Sequence, residues 1–521
     1  MTFGPKGGGT RERGRSPFAN DSRMQEGMQI PGRRDAILND AKRIARNILM
    51  VMGGGTFRAV LMPLFTVLIA RKLGTEGFGT YSFALSLAYI LLIVGEMGLP
   101  KLVVRELAAD REQVVRYMGD LTVLRLLTGL ASMGIIYAII ALSSRSPDTR
   151  LPLFLIGLSY VVFTGLRRFF DAIFQAFEVM KYQAISDLVD ILLTFGVGTL
   201  LLFRGYGLVG VSYALMVGAV ISMGVDFLIL TRRIGKPAFS FDITFWKRMA
   251  AGALPFGVIG LVTFLFGYTN TVMISAFKGD YQAGLFSSAY RIVWAMAVVP
   301  ATCMTAVFPF LARIGRTADD RHREVIRRVV KYLACVSLPF CAILVLFAPQ
   351  LLSAVYGESY LEARSALWIL AAIPLFSFTY IPLIDLLNAH DKHRLSVYAI
   401  LTCAGINLVL CFGLAPVMGF VGAAVSTLVS EVCLLGITLF FAWRHMRIDP
   451  RLLGNWKPAL AAAAGALACL PLRSALPFYG LVLTFVACYL GAIFALRTFD
   501  ATDLRIFRSA LPLSGGSRVS S

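Results

Sequence analysis

Long apolar stretches follow one another along most of this chain, with short polar breaks between them. From about Asn47 to Arg497 the charged residues occur mainly at these breaks. A helix that crosses the hydrocarbon core of a bilayer, about 30 Å thick, needs about 20 predominantly apolar residues. The pattern therefore predicts fourteen membrane-spanning helices, at residues 47–70, 80–98, 119–142, 151–175, 184–203, 207–230, 249–276, 284–311, 329–348, 363–387, 395–415, 418–441, 458–472 and 477–496.

The composition excludes a soluble fold. Hydrophobic residues make up 57% of the chain and charged residues 15%, whereas soluble domains contain about 25% charged residues. We therefore expect an all-α polytopic membrane protein with about fourteen transmembrane helices. The functional residues are expected to lie within the spans.

The basic residues predict how the chain is oriented in the membrane. Most of the 50 Lys and Arg residues lie in the N-terminal tail and in loops on the same side of the membrane, such as residues 101–116, 232–248, 313–331 and 444–457. Loops rich in Lys and Arg stay on the cytoplasmic side. Both termini are therefore expected in the cytoplasm, and the outside connections are short.

The net charge of +20 is largely explained by this topology. Positive cytoplasmic loops also attract anionic lipids of the inner leaflet, which are therefore expected partners. A sharper alternative is that these loops gather an anionic lipid-linked substrate, whereas nucleic-acid binding is the least favoured explanation. The basic tail before the first span also contains Gly, Ser and Pro, and it is predicted to be disordered.

An internal repeat organises the chain. The segment Ile69–Ala84 aligns without gaps on Ile274–Ala289, with two glycines matched, and Gly207–Gly210 matches Gly419–Gly422. The members of each pair lie six spans apart, so the sequence predicts two six-helix bundles related by a parallel repeat. Such repeats are typical of transporters that bind substrate between two rocking halves. Chance similarity is the alternative, because membrane sequences share a biased composition.

The repeat and the charge pattern predict six segments. They are a disordered basic cytoplasmic tail (1–46), an N-terminal six-helix bundle (47–230), a cytoplasmic linker (231–248), a C-terminal six-helix bundle (249–441), a linker with two additional transmembrane helices (442–496) and a cytoplasmic tail (497–521).

Five motifs, taken in order, carry a family resemblance. They are ARKLGTEGFGTYSFALSL, GEMGLPKLVVREL, FQAFEVMKYQAISD, TVMISAFKGDYQAGLFSSAYRI and FAPQLLSAVYGESYLEA. Together they resemble the polysaccharide transporter family of oligosaccharide flippases, over roughly residues 45–450. That family belongs to the superfamily that also contains multidrug and toxin extruders and peptidoglycan-precursor flippases.

The resemblance implies a function and a location. A member of this family is expected to move a polyprenyl-diphosphate-linked oligosaccharide from the cytoplasmic to the outer leaflet of a bacterial cytoplasmic membrane, for cell-surface polysaccharide biosynthesis. It would do so by alternating access and without being an enzyme. Glycosyltransferases or a polymerase of the same pathway are further candidate partners.

Arginines inside the spans are the main candidates for substrate contact. A charge at the bilayer centre costs about 2.5–3.5 kcal/mol even on lenient scales, so it should face a partner or a watery cavity. Arg58 lies in the first span and Arg291 in the eighth, one in each predicted bundle. Because guanidinium offers a fork of donors that matches phosphate oxygens, the two could hold a diphosphate between them. An acidic partner is the competing explanation.

Three further arginines lie closer to the cytoplasm. Arg125 is in the third span, and Arg167 and Arg168 are in the fourth. They are candidates for a substrate vestibule. Since Arg167 and Asp171 are four residues apart and can pair on one helix face, an internal ion-pair network is an equal alternative.

Two acidic residues are candidates for ion coupling. Glu431 lies near the middle of the twelfth span and Asp385 near the inner end of the tenth, and either could bind a proton or Na⁺. The eight cysteines all fall inside predicted spans without a CxxC pair, and the four histidines all fall in loops. We therefore predict no metal site and no cofactor.

Two other functions are considered. A multidrug exporter coupled to cations would share the architecture, but a site for cationic drugs favours buried carboxylates over arginines. A membrane-embedded glycan-assembly enzyme would be expected to have a sizeable outside loop or a catalytic motif, and the outside loops here are short. The intramembrane arginines favour an anionic cargo.

Overall fold

Apolar runs without strand periodicity produce a chain of helices. The computed structural model describes residues 33–142, 145–313, 320–448, 456–472, 475–500 and 503, and it has no strand within these ranges. The helices are α1 (Arg33–Glu96), α2 (Leu99–Ala109), α3 (Val114–Leu142), α4 (Pro147–Leu158), α5 (Gly165–Ala176), α6 (Lys181–Phe203), α7 (Gly207–Arg233), α8 (Ile243–Lys278), α9 (Asp280–Trp294), α10 (Val298–Arg313), α11 (Asp320–Leu346), α12 (Ala348–Tyr356), α13 (Arg364–Leu370), α14 (Ile373–Ala389), α15 (His393–Met446), α16 (Lys457–Cys469) and α17 (Phe478–Ala495).

The predicted class, an all-α polytopic membrane protein, is confirmed. Within the described ranges nine helices are long and apolar enough to cross a membrane, or ten if the bent pair Glu358–Leu370 and Ile373–Ala389 forms one span. The predicted number of fourteen is not confirmed. The count takes Phe57–Ala109 and His393–Met446 as one helix each, although a glycine breaks each of them. In addition, α16 has only 13 residues, fewer than a span requires.

The boundaries of the six predicted segments remain predictions. Some helix ends can be compared with them. α7 ends at Arg233 and α8 begins at Ile243, both inside the predicted linker of residues 231–248. α1 begins at Arg33, within the predicted N-terminal tail. The rest of that tail, residues 1–32, and most of the C-terminal tail lie outside the described residues.

The two longest helices are each broken by a glycine. α1 has 64 residues and α15 has 54, whereas a helix rises about 1.5 Å per residue and a bilayer core is about 30 Å thick. Gly74 in α1 has φ 68° and Gly419 in α15 has φ 61°, and each lies at a kink where two helices meet. We call the end of the bundle at which these turns lie the glycine-turn end.

The predicted repeat appears in the backbone. Gly74 has φ 68° and ψ −176°, and its repeat partner Gly279 has φ 88° and ψ 173°, a region essentially restricted to glycine. The partners Gly207 and Gly419 likewise both have a positive φ, of 53° and 61°. Equivalent glycines therefore make equivalent turns, which explains why the repeat is visible in the sequence.

The two halves touch backbone to backbone at the glycine-turn end. A Cβ atom added to Gly79 would lie 1.7 Å from the carbonyl oxygen of Asp280, and one added to Gly284 would lie 2.0 Å from that of Thr75. Thr75 and Asp280 are themselves repeat partners in the predicted alignment. This reciprocal contact is what a two-fold relation between the halves produces.

Apolar side chains extend this contact. A single hydrophobic cluster contains Phe78 of α1, Leu285 and Phe286 of α9, and Tyr360, which follows α12. The Tyr360 hydroxyl also donates a 2.9 Å hydrogen bond to the carbonyl of Ala70. The glycine-turn end is therefore closed between the two halves.

The last two helices pack on α11. Tyr489 of α17 donates a 2.8 Å hydrogen bond to the carbonyl of Cys335 in α11. After α17, the buried Asp503 lies 2.7 Å from Lys331. Burial disfavours the ionised form of Asp503, but hydrogen bonds from Lys331, Tyr332 and the backbone N–H of Asp500 outweigh it and lower its pKa to about 2. An ionic contact thus holds the segment that follows α17 against α11.

Alanine at Gly79 tests the backbone contact. Because its methyl group would overlap the Asp280 carbonyl, Gly79→Ala should destabilise the closed arrangement by about 1–3 kcal/mol, a typical cost of overpacking. We expect a lower thermal unfolding temperature in detergent.

Gly196→Ala is the matched control, since no atom lies within 4 Å of an added Cβ there. Alanine is the better helix former by about 1 kcal/mol, so this variant should unfold at the same temperature or higher. Equal unfolding temperatures for the two variants would contradict the packing described.

Candidate functional site

Arg58 lies at the edge of an acidic group inside the first bundle. Its Nη1 atom in α1 is 2.9 Å from Asp190 Oδ2 and 3.9 Å from Asp187 Oδ1, both in α6. One third of the Arg58 side chain remains exposed. Arg58 and Asp190 also line a small cavity of about 10 Å³, close to the room that one water molecule needs.

Arg167 continues this group towards α5. Its Nη1 atom is 2.7 Å from Asp187 Oδ1 and 4.0 Å from Asp171 Oδ2, and the side chain is buried. Asp187 therefore lies between Arg167 and Arg58. For Arg167 the structure has the ion-pair arrangement that the sequence left as one of two alternatives.

Arg125 is enclosed by two glycines. A Cβ atom added to Gly95 or Gly165 would lie 2.8 or 2.1 Å from its guanidinium nitrogens, so a side chain at either glycine would displace the guanidinium from this position. One nitrogen is 3.4 Å from the carbonyl of Val161, which belongs to a π-helical turn, Ser159–Thr164. Such turns often occur at functional sites. In this conformation Arg125 is fully buried.

Arg168 points to a different carboxylate. Its Nε atom lies 3.0 Å from Glu96 Oε1 at the end of α1. Arg125 instead donates hydrogen bonds to the Thr128 hydroxyl and the Val161 carbonyl, at 3.3 and 3.4 Å. The structure does not place them beside Arg58.

Arg291 faces the first bundle from the second. Its guanidinium carbon lies 5.3 Å from the ring centre of Phe78 and 5.9 Å from that of Tyr81, at cation–π distance. Among the described residues no carboxylate oxygen lies within 4 Å of Arg291. Its charge is thus held by aromatic faces and remains available to an anion.

Three tyrosines pack together across the two bundles. Tyr89 of α1 stacks on Tyr268 of α8 with ring centres 4.9 Å apart, and it lies 5.0 Å from the ring of Tyr160. Tyr160 lines the small cavity beside Arg58. The three rings therefore extend from the Arg58 cavity in the first bundle to α8 in the second.

The two acidic candidates lie in the second bundle. Glu431 in α15 is buried beside the Tyr380 hydroxyl, and among the described residues its Oε2 atom has no hydrogen-bond partner. Nearby, Asn270 donates a 2.7 Å hydrogen bond to Thr427. Asp385 is half-buried on α14 beside Asn388.

Sequence reasoning missed an ionic contact at the glycine-turn end. Arg145, which precedes α4, forms an ion pair with both carboxylate oxygens of Asp280, the longer contact being 2.8 Å. Asp280 also accepts a 2.6 Å hydrogen bond from Thr80 of α1, and the Arg145 guanidinium lies 4.1 Å from the ring centre of Phe83. The contact joins the first bundle to the second. The one sequence signal for this contact was that Asp280 lies within the repeated segment.

Two family models match this chain. The model described as "Polysaccharide biosynthesis protein" matches residues 44–315, and the MatE model matches residues 255–412. The predicted resemblance to the polysaccharide transporter family is thereby confirmed.

Curated relatives extend over most of the chain. The "Putative O-antigen transporter" of Shigella flexneri is 23% identical over 371 residues, which are 69% of this chain and 88% of the relative. The "Probable flippase AglR" of Haloferax volcanii is 24% identical over 417 residues, 74% of this chain and 81% of the relative.

Solved structures establish the fold. The structure titled "Lipid II flippase MurJ, inward closed conformation" has a TM-score of 0.71 at 16% identity, and the match covers 86% of this chain and 99% of that one. An inward-facing multidrug resistance MATE transporter of the MOP superfamily has a TM-score of 0.56 at 17% identity, covering 75% and 94%. Because the first family model spans more than half of the 521 residues, the chain belongs to the polysaccharide biosynthesis protein family.

Proposed function

We propose that this protein is a flippase that moves a polyprenyl-diphosphate-linked oligosaccharide from the cytoplasmic to the outer leaflet by alternating access. The relatives are named as a transporter and a flippase, which supports a transporter rather than an enzyme. The observation that carries the proposal is the position of Arg58 and Arg291, one in each half, with Arg58 beside the cavity that Tyr160 lines and Arg291 on the aromatic rings of Phe78 and Tyr81.

Arginine and tyrosine suit such a cargo. The guanidinium forks of Arg58 and Arg291 match the oxygens of a diphosphate. Among the described residues, Arg291 has no carboxylate within ion-pair distance. The packed tyrosine rings offer apolar faces and hydroxyl groups to sugars. Arg167 and Arg168 face carboxylates in this conformation, and Arg125 is buried beside Gly95 and Gly165. All three would therefore contact substrate only after rearrangement.

The closed glycine-turn end supports alternating access. Backbone contact at Gly79 and Gly284, together with the ion pair between Arg145 and Asp280, seals this end. The distribution of Lys and Arg supports an outer position for this end in a bacterial cytoplasmic membrane, with both termini in the cytoplasm. On this assignment the conformation is the one closed to the outside.

A multidrug exporter coupled to cations is the second candidate. It is favoured by the MatE match and by the carboxylates near Arg58. The two functions differ in their cargo. A cation exporter would raise resistance to cationic dyes, and it would not need a cationic Arg291.

Removing either arginine should impair surface glycan production. Arg58→Ala and Arg291→Ala each lose charge-assisted hydrogen bonds to the diphosphate, worth about 1.5–3 kcal/mol, so we expect about a tenfold or greater loss. The measurement is the amount of surface polysaccharide in cells with matched membrane expression. Lysine at either position should restore only part of the surface polysaccharide, since it keeps the positive charge but lacks the forked donor geometry of guanidinium.

Arg204→Ala is the control, because Arg204 is an exposed arginine in the turn between α6 and α7. It should leave surface glycan unchanged. Full glycan production by both arginine variants would exclude Arg58 and Arg291 from transport. If the arginine variants lost resistance to cationic dyes but kept surface glycan, the result would favour the multidrug exporter.

Breaking the ion pair at the glycine-turn end should open it. Arg145→Ala removes the partner of Asp280, and a loss of about 1–2 kcal/mol from the closed state would raise the open population about 5–30-fold. A cysteine placed at the buried Ser82, one helical turn from Gly79, reports this opening. In a background without native cysteines, a membrane-impermeant maleimide added outside should label it faster in Arg145→Ala.

Arg364→Ala, at another exposed arginine, should not change the labelling rate. Equal labelling of the Ser82→Cys probe with and without Arg145 would contradict a closing role for the ion pair.

A further inference from the structure

The interior of the first bundle contains one more acid than base. Among the described residues, four arginines and five carboxyls on α1, α3, α5, α6 and α7 form this set. They are Arg58, Arg125, Arg167 and Arg168, with Glu96, Asp171, Asp187, Asp190 and Asp226. Asp120 and Arg116 form a separate pair beside the linker. If every group were ionised, the set would carry one uncompensated negative charge.

The pairing distances locate this excess. Glu96, Asp187 and Asp190 each have an arginine nitrogen within 3.0 Å. Asp171 has one only at 4.0 Å, and Asp226 has none within 4 Å among the described residues. The excess therefore lies at Asp171 and Asp226.

Asp226 is fully buried and poorly satisfied. Among the described residues neither of its carboxylate oxygens accepts a hydrogen bond. The Ser186 hydroxyl is a polar group beside it, and its single proton is shared with the backbone carbonyls of Tyr182 and Gln183, at 3.2 and 3.1 Å. An ionised carboxylate in such a place is strongly disfavoured, and the neutral acid is the stable form.

Asp171 provides an acceptor for the acid proton. It is buried on α5, and its neighbour Phe170 packs on Phe227, the residue next to Asp226, with ring centres 5.9 Å apart. Among the described residues the Oδ1 atom of Asp171 has no hydrogen-bond partner.

We propose that Asp226 binds a proton and shares it with Asp171, so that the first bundle carries a proton site distinct from Glu431 and Asp385. The groups that face this pair are Arg167 and Arg168 on α5, Asp187 and Asp190 on α6, and Arg58 on α1. The site makes the charged set neutral.

The same network connects the proton site with Arg58. Asp187 accepts a hydrogen bond from Arg167 and lies 3.9 Å from Arg58. If Arg58 turned to a diphosphate, Asp187 and Asp190 would lose a positive neighbour, and the set would take up a further proton. This linkage rests on the function proposed above, whereas the proton on Asp226 does not.

Infrared spectroscopy of the full chain in lipid nanodiscs tests the proton site directly. The difference spectrum of the wild type minus Asp226→Asn at neutral pH should contain the carbonyl band of a neutral carboxylic acid, and this band should shift in D₂O. Subtraction removes any contribution from Glu431. Loss of a carboxylate band in place of the acid band would show that Asp226 is ionised and would overturn the proposal.

A second variant and a control keep the test independent of how well Asp226→Asn folds. Asp171→Asn should retain the acid band but move it to higher frequency, because the O–H group loses its carboxylate acceptor; an unmoved band would exclude sharing. Asp120→Asn removes a carboxylate that accepts hydrogen bonds from Ser240 and Phe241. It should remove a carboxylate band and leave the acid band intact.

The linkage to Arg58 has its own measurement. Arg58→Gln removes one positive charge, so one more carboxyl should become protonated and the acid band should grow, while Arg58→Lys should leave it unchanged. No growth in Arg58→Gln would overturn the linkage and leave the Asp226 site standing. Loss of glycan transport in Arg58→Gln with no growth of the band would separate the transport role of Arg58 from the proton network.

Discussion

Two glycines at equivalent places in the repeat allow the halves of this protein to touch backbone to backbone. Any side chain at Gly79 or Gly284 would overlap a carbonyl oxygen of the other half. The surrounding rings and the ion pair of Arg145 with Asp280 lie at the same contact. The contact is reciprocal, as a two-fold relation between the halves requires.

The arginines within the spans have different neighbours in the two halves. In the first bundle arginines face carboxylates at short distances, and their sum comes within one charge of neutrality. In the second, Arg291 rests on aromatic rings of the first bundle. Arg58 belongs to the paired set but keeps one third of its side chain exposed. A diphosphate that engages both arginines would therefore join the halves and disturb the charge balance of one of them.

Sequence periodicity was sufficient for the class of fold and for the repeat, because apolar runs and turn glycines are local properties. The number of spans could not be predicted from periodicity alone, since helices such as α16 are shorter than their apolar runs. The partners of individual side chains were harder to predict from the sequence. The nearness of Arg167 to Asp171 follows from helix geometry, but the pairing of Arg58 with Asp190, 132 residues away, depends on how helices rotate and pack. The contact between Arg145 and Asp280 depends on a loop, which carries no periodicity.

The most direct measurement is translocation of a fluorescent polyprenyl-diphosphate oligosaccharide in proteoliposomes, with the glycine-turn end held closed. Cysteines at Thr80 and Asp280, whose side chains are 2.6 Å apart, would be joined by a short cleavable reagent in a background without other cysteines. A lectin outside the vesicles reports the glycan that has crossed. The account predicts that linking stops translocation and that cleavage of the linker restores it. Unchanged translocation in the linked protein would contradict the claim that the two halves separate at this contact.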